Sequence, residues 1–397
     1  MSLPFVEAPH LSAGFYQSLV LGDGERSLCY SFGSHRNHLQ GAEDVEKLSF
    51  AEPFPLDLST FNVASVGCGG CHSCILEKRP GEEGGQVWVW GLGNGGRLAV
   101  ERPRKSFEVQ KLLKECLNAD ENKLLSDKSY VQSFTGSAKK WALHLPRREE
   151  AFLFEEWFRL MFRHALKAFL SRRVDFGSAK MVSVSCGTDF TLALSEDGEV
   201  YAWGQGSHGQ LGLGVIGDQW TPQLVAMGVG CRQVAAGTKH GMALGAFGEV
   251  FTWGHGGHGR LGQGVACAAA LRPVALTLTA RYVAAGEAHS GAIDQLGQVW
   301  CWGAGSFGRC GHGEEVDFMV PKLVAALVGK GCQQMALGVC HSMALTLRGR
   351  IWSWGGCLYT GHGELDDIET ARELDHEALS GPKSEDFNGF QWISAAS

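Results

Sequence analysis

No run of about eighteen apolar residues occurs in the 397-residue chain, so no hydrophobic helix able to span a bilayer is expected. The opening stretch, MSLPFVEAPHLSAGFYQ, lacks the charged start and apolar core of a signal peptide. Basic excess is missing too: Lys and Arg number 35 against 42 Asp and Glu, a formal charge of −7. A surface that coats nucleic acid through its phosphates is therefore not expected, and neither end carries a basic tail. Prolines are few, 11 against 55 glycines, and 12 tryptophans accompany them. Glycine at that density without low complexity reads as many tight turns between short strands. The 13 cysteines are odd in number and scattered, which fits buried thiols in a reducing compartment better than a disulfide framework. These features predict a soluble, all-β, monomeric protein of the cytoplasm or nucleus.

What is present is a repeat. SCGTDFTLALSEDGEVYAWGQGSHGQLGLG, AAGTKHGMALGAFGEVFTWGHGGHGRLGQG and AAGEAHSGAIDQLGQVWCWGAGSFGRCGHG are copies of one unit, and ALGVCHSMALTLRGRIWSWGGCLYTGHG is a fourth. Their first glycines, Gly187, Gly237, Gly286 and Gly338, stand 50, 49 and 52 residues apart. Two earlier copies are led by Gly14 and Gly69. The gap of 118 residues from Gly69 to Gly187 is about two periods, and Gly136, 51 residues before Gly187, aligns as an eroded third copy. Seven repeats are thus expected.

Within a unit, a run such as VAAG ends at a glycine turn, and HGMAL and EVFTW then form strands of a meander. The aromatic before each glycine (Phe32, Trp90, Trp203, Trp253, Trp302, Trp354) is the anchor that buries between units. One such sheet cannot bury both faces alone, so the units stack, and a ring removes the exposed ends. The terminal WISAAS, 392–397, reads as a strand completing the blade begun at the N-terminus; the competing reading is the start of an eighth copy.

These residues resemble the RCC1 (regulator of chromosome condensation) family, whose units carry G-x-x-H-(S/T)-x-A-L, a D-G turn, then (V/L)-x-x-W-G-x-(G/N)-x-x-G-Q-L-G-x-G. Five repeats match well, the first moderately and the third by spacing. The resemblance implies a seven-bladed β-propeller of RCC1-type repeats, with short helical insertions around the degenerate third repeat. Its functions diverge: nucleotide exchange on small GTPases, chromatin binding, substrate binding within large HECT-type ubiquitin ligases, and a plant ultraviolet photoreceptor. The photoreceptor pattern needs tryptophan just after the repeat glycine; Thr188, Thr238, Glu287 and Val339 stand there, which argues against it. A ligase needs a catalytic domain for which no chain remains. A Ran-type exchange factor would carry a wedge and a basic tail, and the tail is absent.

Several motifs have a structural reading beside the chemical one. The G-x-G-x-x-G runs at 204–209, 254–259 and 303–308 recur once per unit and lead into another glycine turn instead of a helix, so a dinucleotide loop is not expected. His72, His240, His289 and His341 are held a blade apart, too far to converge on one ion, and are expected to bond to nearby backbone. CGGCHSC, at 68–74, invites a zinc, redox or haem reading, but His72 and Ser73 are the repeat His and Ser. Cys71 and Cys74 should face opposite sides of a strand; Cys71 alone keeps a claim to chemistry. No cofactor, metal or catalytic constellation is expected.

The variable turn residues Thr188, Asp189, Thr238, Lys239, Glu287, Ala288, Val339 and Cys340 are candidate contacts on a rigid frame, or merely solvated loops. FEEWFRLMFRHALKAFLSRR, 154–173, has helical periodicity. Trp157, Phe158, Arg159 and Arg163 make it a basic, aromatic docking helix, or a helix packed on the propeller edge. A helical linker over 101–130, with a short helix at 107–117, and an acidic loop or short helix over 363–388 complete the reading. The expected function is a protein-binding scaffold, with nucleotide exchange on a small GTPase, or substrate binding in the manner of the propellers of large HECT-type ubiquitin ligases, as the alternatives.

Overall fold

The computed structural model describes four N-terminal strands, Leu11–Ala13, Gln17–Leu21, Cys29–Ser34 and Ser49–Leu56, and then residues 62–70, 72–78, 84–91, 173–264, 269–363 and 366–374. Six antiparallel sheets are described, each a meander in which sequence order is spatial order. The Gly237 blade is typical: inner strand Cys231–Ala236, second strand His240–Gly245, third strand Glu249–His255 and outer strand Ala269–Thr279. The inner strand of each described blade after the first packs on the preceding described sheet, giving a succession of stacked blades.

Tryptophan anchors this stacking as expected. Trp203, Trp253, Trp302 and Trp354 are fully buried and are the largest such side chains. The expected anchors Phe32 and Trp90 lie outside the described side chains. Burial of the indole is half of the anchor; its N–H is the other half, because a buried donor must be paired. Trp302 donates to the Arg260 carbonyl of the preceding blade at 3.0 Å and Trp354 to the Arg309 carbonyl at 2.8 Å. Trp253 does the same to the Gln210 carbonyl at 2.9 Å.

The glycine after each tryptophan has a steric cause. Gly204, Gly254 and Gly303 have φ of 107°, 101° and 108°, and a Cβ there would stand 2.6–2.7 Å from the carbonyl oxygen of Asp189, Lys239 or Ala288. No other residue satisfies both constraints.

The sequence predicts that the repeat histidines bond to nearby backbone, but three of the four reach across the seam to a hydroxyl of the next blade: His72 Nε2 to Thr191 Oγ1 at 2.8 Å, His240 to Ser290 Oγ at 2.8 Å, His289 to Ser342 Oγ at 2.9 Å. His341 stacks on Tyr359 with ring centroids 5.6 Å apart. Where the histidine position holds Phe190, the facing position holds Gly241, and neither polar group is present.

Among the described residues, no sheet stands between the Gly69 and Gly187 blades, where the spacing put the third. The Gly69 sheet, Val63–Cys68, His72–Glu77 and Gln86–Gly91, packs directly on Met181–Cys186 of the Gly187 blade. The His72–Thr191 bond and a Gly70 N–H to Thr188 carbonyl bond of 3.0 Å cross that seam. Arg173 bridges Trp88, and the Val174 N–H donates to the Val87 carbonyl at 2.9 Å. This matches the Val324 N–H to Val299 carbonyl bond in the Gly286 blade. Arg173 and Val174 therefore lie along the outer edge of the Gly69 sheet. Gly136 and residues 101–130 lie outside the described residues, as does the expected helix over 154–173 except Arg173, which pairs as strand. WISAAS also lies outside them. Of the acidic stretch, Ile368–Glu373 is neither loop nor helix but the outer strand of the Gly338 blade, with Ile368 and Ala371 buried.

If the His–Ser contact locks the seam, its two partners are energetically coupled. S290A should cost about 1–3 kcal/mol by stranding the His240 donor. H240F should cost distinctly less in the S290A background than alone, read by denaturant unfolding in a double-mutant cycle. Strict additivity would contradict the lock.

Candidate functional site

Two kinds of loop share one face of the described blades: the short turn after each repeat glycine and the longer loop after each Trp-Gly pair. The short turns carry the variable residues singled out from sequence, and they are half-buried rather than free in solvent. Thr188, Asp189, Thr238, Lys239, Glu287, Val339 and Cys340 are all of intermediate exposure, and Ala288 is buried. Backbone hydrogen bonds join the Gly69, Gly237 and Gly286 turns each to the next, forming part of a hoop. The Thr238 N–H donates to the Gly286 carbonyl at 3.3 Å and the Glu287 N–H to the Gly338 carbonyl at 3.1 Å.

The longer loops fasten this hoop. Arg260, only 6% exposed, donates through Nε to the Gly257 carbonyl at 2.9 Å and through a terminal nitrogen to the Glu287 carbonyl at 3.0 Å. Arg309, also 6% exposed, donates to the carbonyls of Ser306 at 3.0 Å and Val339 at 2.7 Å, and pairs with the Glu287 carboxylate at 3.4 Å. Both guanidiniums are thus structural. The G-x-G-x-x-G runs bend into short 3-10 turns, Gly257–Gly259 and Ser306–Gly308, with no helix N-terminus for a pyrophosphate.

Sequence reasoning missed the residues that stand out from this face. His258, Phe307 and Tyr359 are exposed at the loop tips and His208 is half-exposed beside them. Val215, Ile216 and Val316 are exposed on the same loops. The signal lay in the last x of G-x-G-x-x-G, which holds His208, His258 and Phe307 in successive repeats. Among the described residues, His258 (φ 60°) and Phe307 (φ 63°) are the two non-glycine residues with positive φ. Trp157, Phe158, Arg159 and Arg163 lie outside the described residues, and so does Cys71.

The seam histidines are electrostatically decided. The single hydroxyl proton of Ser290 goes to the Arg260 carbonyl at 2.7 Å, and that of Ser342 to the Arg309 carbonyl at 2.7 Å. His240 and His289 must therefore donate through Nε2–H, leaving Nδ1 bare and buried. Protonation would place a donor where no acceptor stands. Burial, aided by Arg260 beside His240 and Arg309 beside His289, holds both well below the usual histidine range. Burial also lowers His341. His255 is pushed down to about 4 by burial and by Arg260.

Among the described residues, no group of three or more His, Cys, Asp or Glu side chains is placed to hold a metal ion. No helix there is long and apolar enough to cross a membrane.

Acid should weaken the fold through these histidines. Their folded pKa values lie below the unfolded value near 6.5, so stability is complete above that pH. It is lost as pH falls below it, because the unfolded chain then binds protons that the native seams refuse. Denaturant unfolding at pH 7 and pH 5 should show the loss. H240F/S290G, which imitates the Phe190–Gly241 seam, should lose up to about 2 kcal/mol less over that interval. An equal loss would assign the acid sensitivity elsewhere.

Comparison with known proteins fits this geometry. The RCC1-like domain family matches residues 165–397. The ultraviolet-B receptor UVR8 of Arabidopsis thaliana is 34% identical over 226 residues, which are 54% of this chain and 45% of the receptor. The probable E3 ubiquitin-protein ligase HERC6 of Homo sapiens is 34% identical over 236 residues, 58% of this chain and 16% of the ligase. The chain spans less than half the length of these curated relatives. The crystal structure of human WBSCR16 superposes with a TM-score of 0.68 at 20% identity, covering 98% of this chain and 85% of that one. Yeast RCC1 (Prp20), solved bound to Kap60, superposes with a TM-score of 0.63 at 22% identity, covering 100% and 80%. At such identities the likeness establishes the fold. Family match and fold agree: the chain belongs to the RCC1-like domain family, and its described sheets are blades of an RCC1-type β-propeller.

Proposed function

We propose that this propeller is a non-catalytic protein-binding module whose contacts come from the face bearing the repeat-glycine turns and the Trp-Gly loops. The observation that carries the reading is Phe307. A bulky residue at φ 63° costs on the order of 1 kcal/mol that glycine would avoid. Its side chain is 45% exposed, so burial does not offset that cost. Its visible compensation is the Arg309 guanidinium 5.5 Å from the ring centroid. Strain held at an exposed aromatic is what a binding surface retains and a purely structural loop does not. His258 repeats the pattern in the preceding blade, held by Asp317 at 2.8 Å.

The surroundings support the same reading. Aromatic and apolar tips rimmed by polar turns such as Lys239 and Glu287 have the composition of an interface centre and its rim. The hoop beneath them is rigid, so little ordering entropy opposes docking. Nucleotide exchange on a small GTPase, which the family resemblance implies as an alternative, has no observation of its own among the described residues.

Phe307→Gly separates these ideas. It should stabilise the protein by roughly 0.5–1 kcal/mol, since glycine suits the left-handed region. It should also reduce capture of partners from cell extract at least tenfold against wild type, whereas Leu296→Ser on the opposite face should leave the partner list intact. An unchanged partner list for Phe307→Gly would overturn the choice of face. Acceleration of labelled GDP release from a panel of small GTPases would overturn the non-catalytic reading.

A further inference from the structure

Cys74 and Cys186 are 112 positions apart in sequence and belong to different blades, yet their sulfurs stand 3.2 Å apart across the Gly69–Gly187 seam. At the equivalent positions of the next seams stand Leu192 with Ala236 and Met242 with Ala285, each pair within one hydrophobic cluster, so packing there needs no thiol. Room for the sulfurs is provided by Gly67, where a Cβ would stand 2.7 Å from the Cys74 sulfur and 3.1 Å from that of Cys186. Cys74 is fully buried and Cys186 is 6% exposed. Thr191 Oγ1 donates to the Cys186 sulfur at 3.9 Å, and the same hydroxyl group contacts His72 Nε2 at 2.8 Å.

We propose that Cys74 and Cys186 form a reversible disulfide that staples the Gly69 blade to the Gly187 blade, made by a small uncharged peroxide and undone by a cellular thiol. Closing the gap to the bonded length of about 2.05 Å takes a shift of roughly 1.2 Å. The two sulfurs are not equivalent. A hydrogen bond from Cys74, reinforced by nearby His72, lowers the pKa of Cys186, whereas that same hydrogen bond and burial raise the pKa of Cys74. Cys186, the more exposed of the two, is thus the attacking thiolate.

The chemistry balances. The Cys186 thiolate attacks one peroxide oxygen, the O–O bond breaks, and the departing hydroxide takes a proton to become water. This leaves a sulfenic acid on Cys186. Cys74 then attacks the Cys186 sulfur, the S–O bond breaks, and the hydroxyl leaves as water with the Cys74 proton. Two thiols are oxidised and one hydrogen peroxide is reduced to two waters. Two equivalents of a thiol such as glutathione return the pair to its reduced form.

The wild-type protein, fully reduced and then exposed under native conditions to equimolar hydrogen peroxide, should lose 2 Da in intact mass. After alkylation in denaturant, proteolysis should yield the Cys74 peptide joined to the Cys186 peptide, and dithiothreitol should reverse both changes. The stapled protein should melt about 5 °C higher than the reduced form. C74A should stop at a Cys186 sulfenic acid that dimedone traps. A native protein that takes up oxygen without losing 2 Da would overturn the proposal, as would a cross-link through Cys68, or through Cys301 and Cys310. Because mapping is done on the folded wild type, the outcome does not depend on whether a variant folds.

Discussion

Two backbone carbonyls, those of Arg260 and Arg309, carry the organisation of this molecule. Each accepts the indole N–H of the next blade's tryptophan and the hydroxyl of its serine. Each lies on a loop whose arginine side chain then binds the next blade's turn. A meander sheet has no intrinsic reason to stop its neighbour at one angle, and apolar packing alone tolerates slippage. Paired donors aimed at a single buried oxygen do not, because a shift strands two buried polar groups at about 1–3 kcal/mol each. The histidines follow from the same oxygen. It consumes the serine proton, fixes the imidazole tautomer and makes the seam intolerant of acid.

Much of this was legible in the sequence. Trp-Gly marks a residue that must be large and buried beside one that cannot carry a Cβ, and both requirements recur with the repeat. The fourth strand of each blade was not legible, because strands such as Gln219–Val225 and Phe318–Leu323 are half-exposed and lack an apolar alternation. That omission hid the direct packing of the Gly69 sheet on the Gly187 blade. In LVAMGVGCRQVAAG and LVAALVGKGCQQMALG a valine precedes the repeat glycine by 12 or 14 residues, and Val174 precedes Gly187 by 13. Read as an outer-strand marker, it ties Arg173 and Val174 to the Gly69 sheet. Spacing between first glycines counts chain length alone, whereas the outer-strand marker reports which sheet a segment joins.

The candidate site was half legible. Variable turn positions were found, but their chemistry misled, since Thr238 and Glu287 are held in the hoop through their amides while their side chains are only partly open. The loop tips were hidden inside G-x-G-x-x-G, where attention goes to the glycines. Phe307 and His258 stand out only once φ is known. The thiol pair was invisible for a different reason: Cys74 and Cys186 meet across a seam between segments that the spacing placed a blade apart.

Native-state hydrogen exchange tests directly whether the seams lock the turns of the proposed binding face to one another. The amides of Thr238 and Glu287, bonded to the carbonyls of the next blade, should exchange only with global unfolding, as slowly as the core strand amides of Met242 and Ala243. Exchange of those two turn amides at the rate of the exposed Leu296 amide on the opposite face would contradict it.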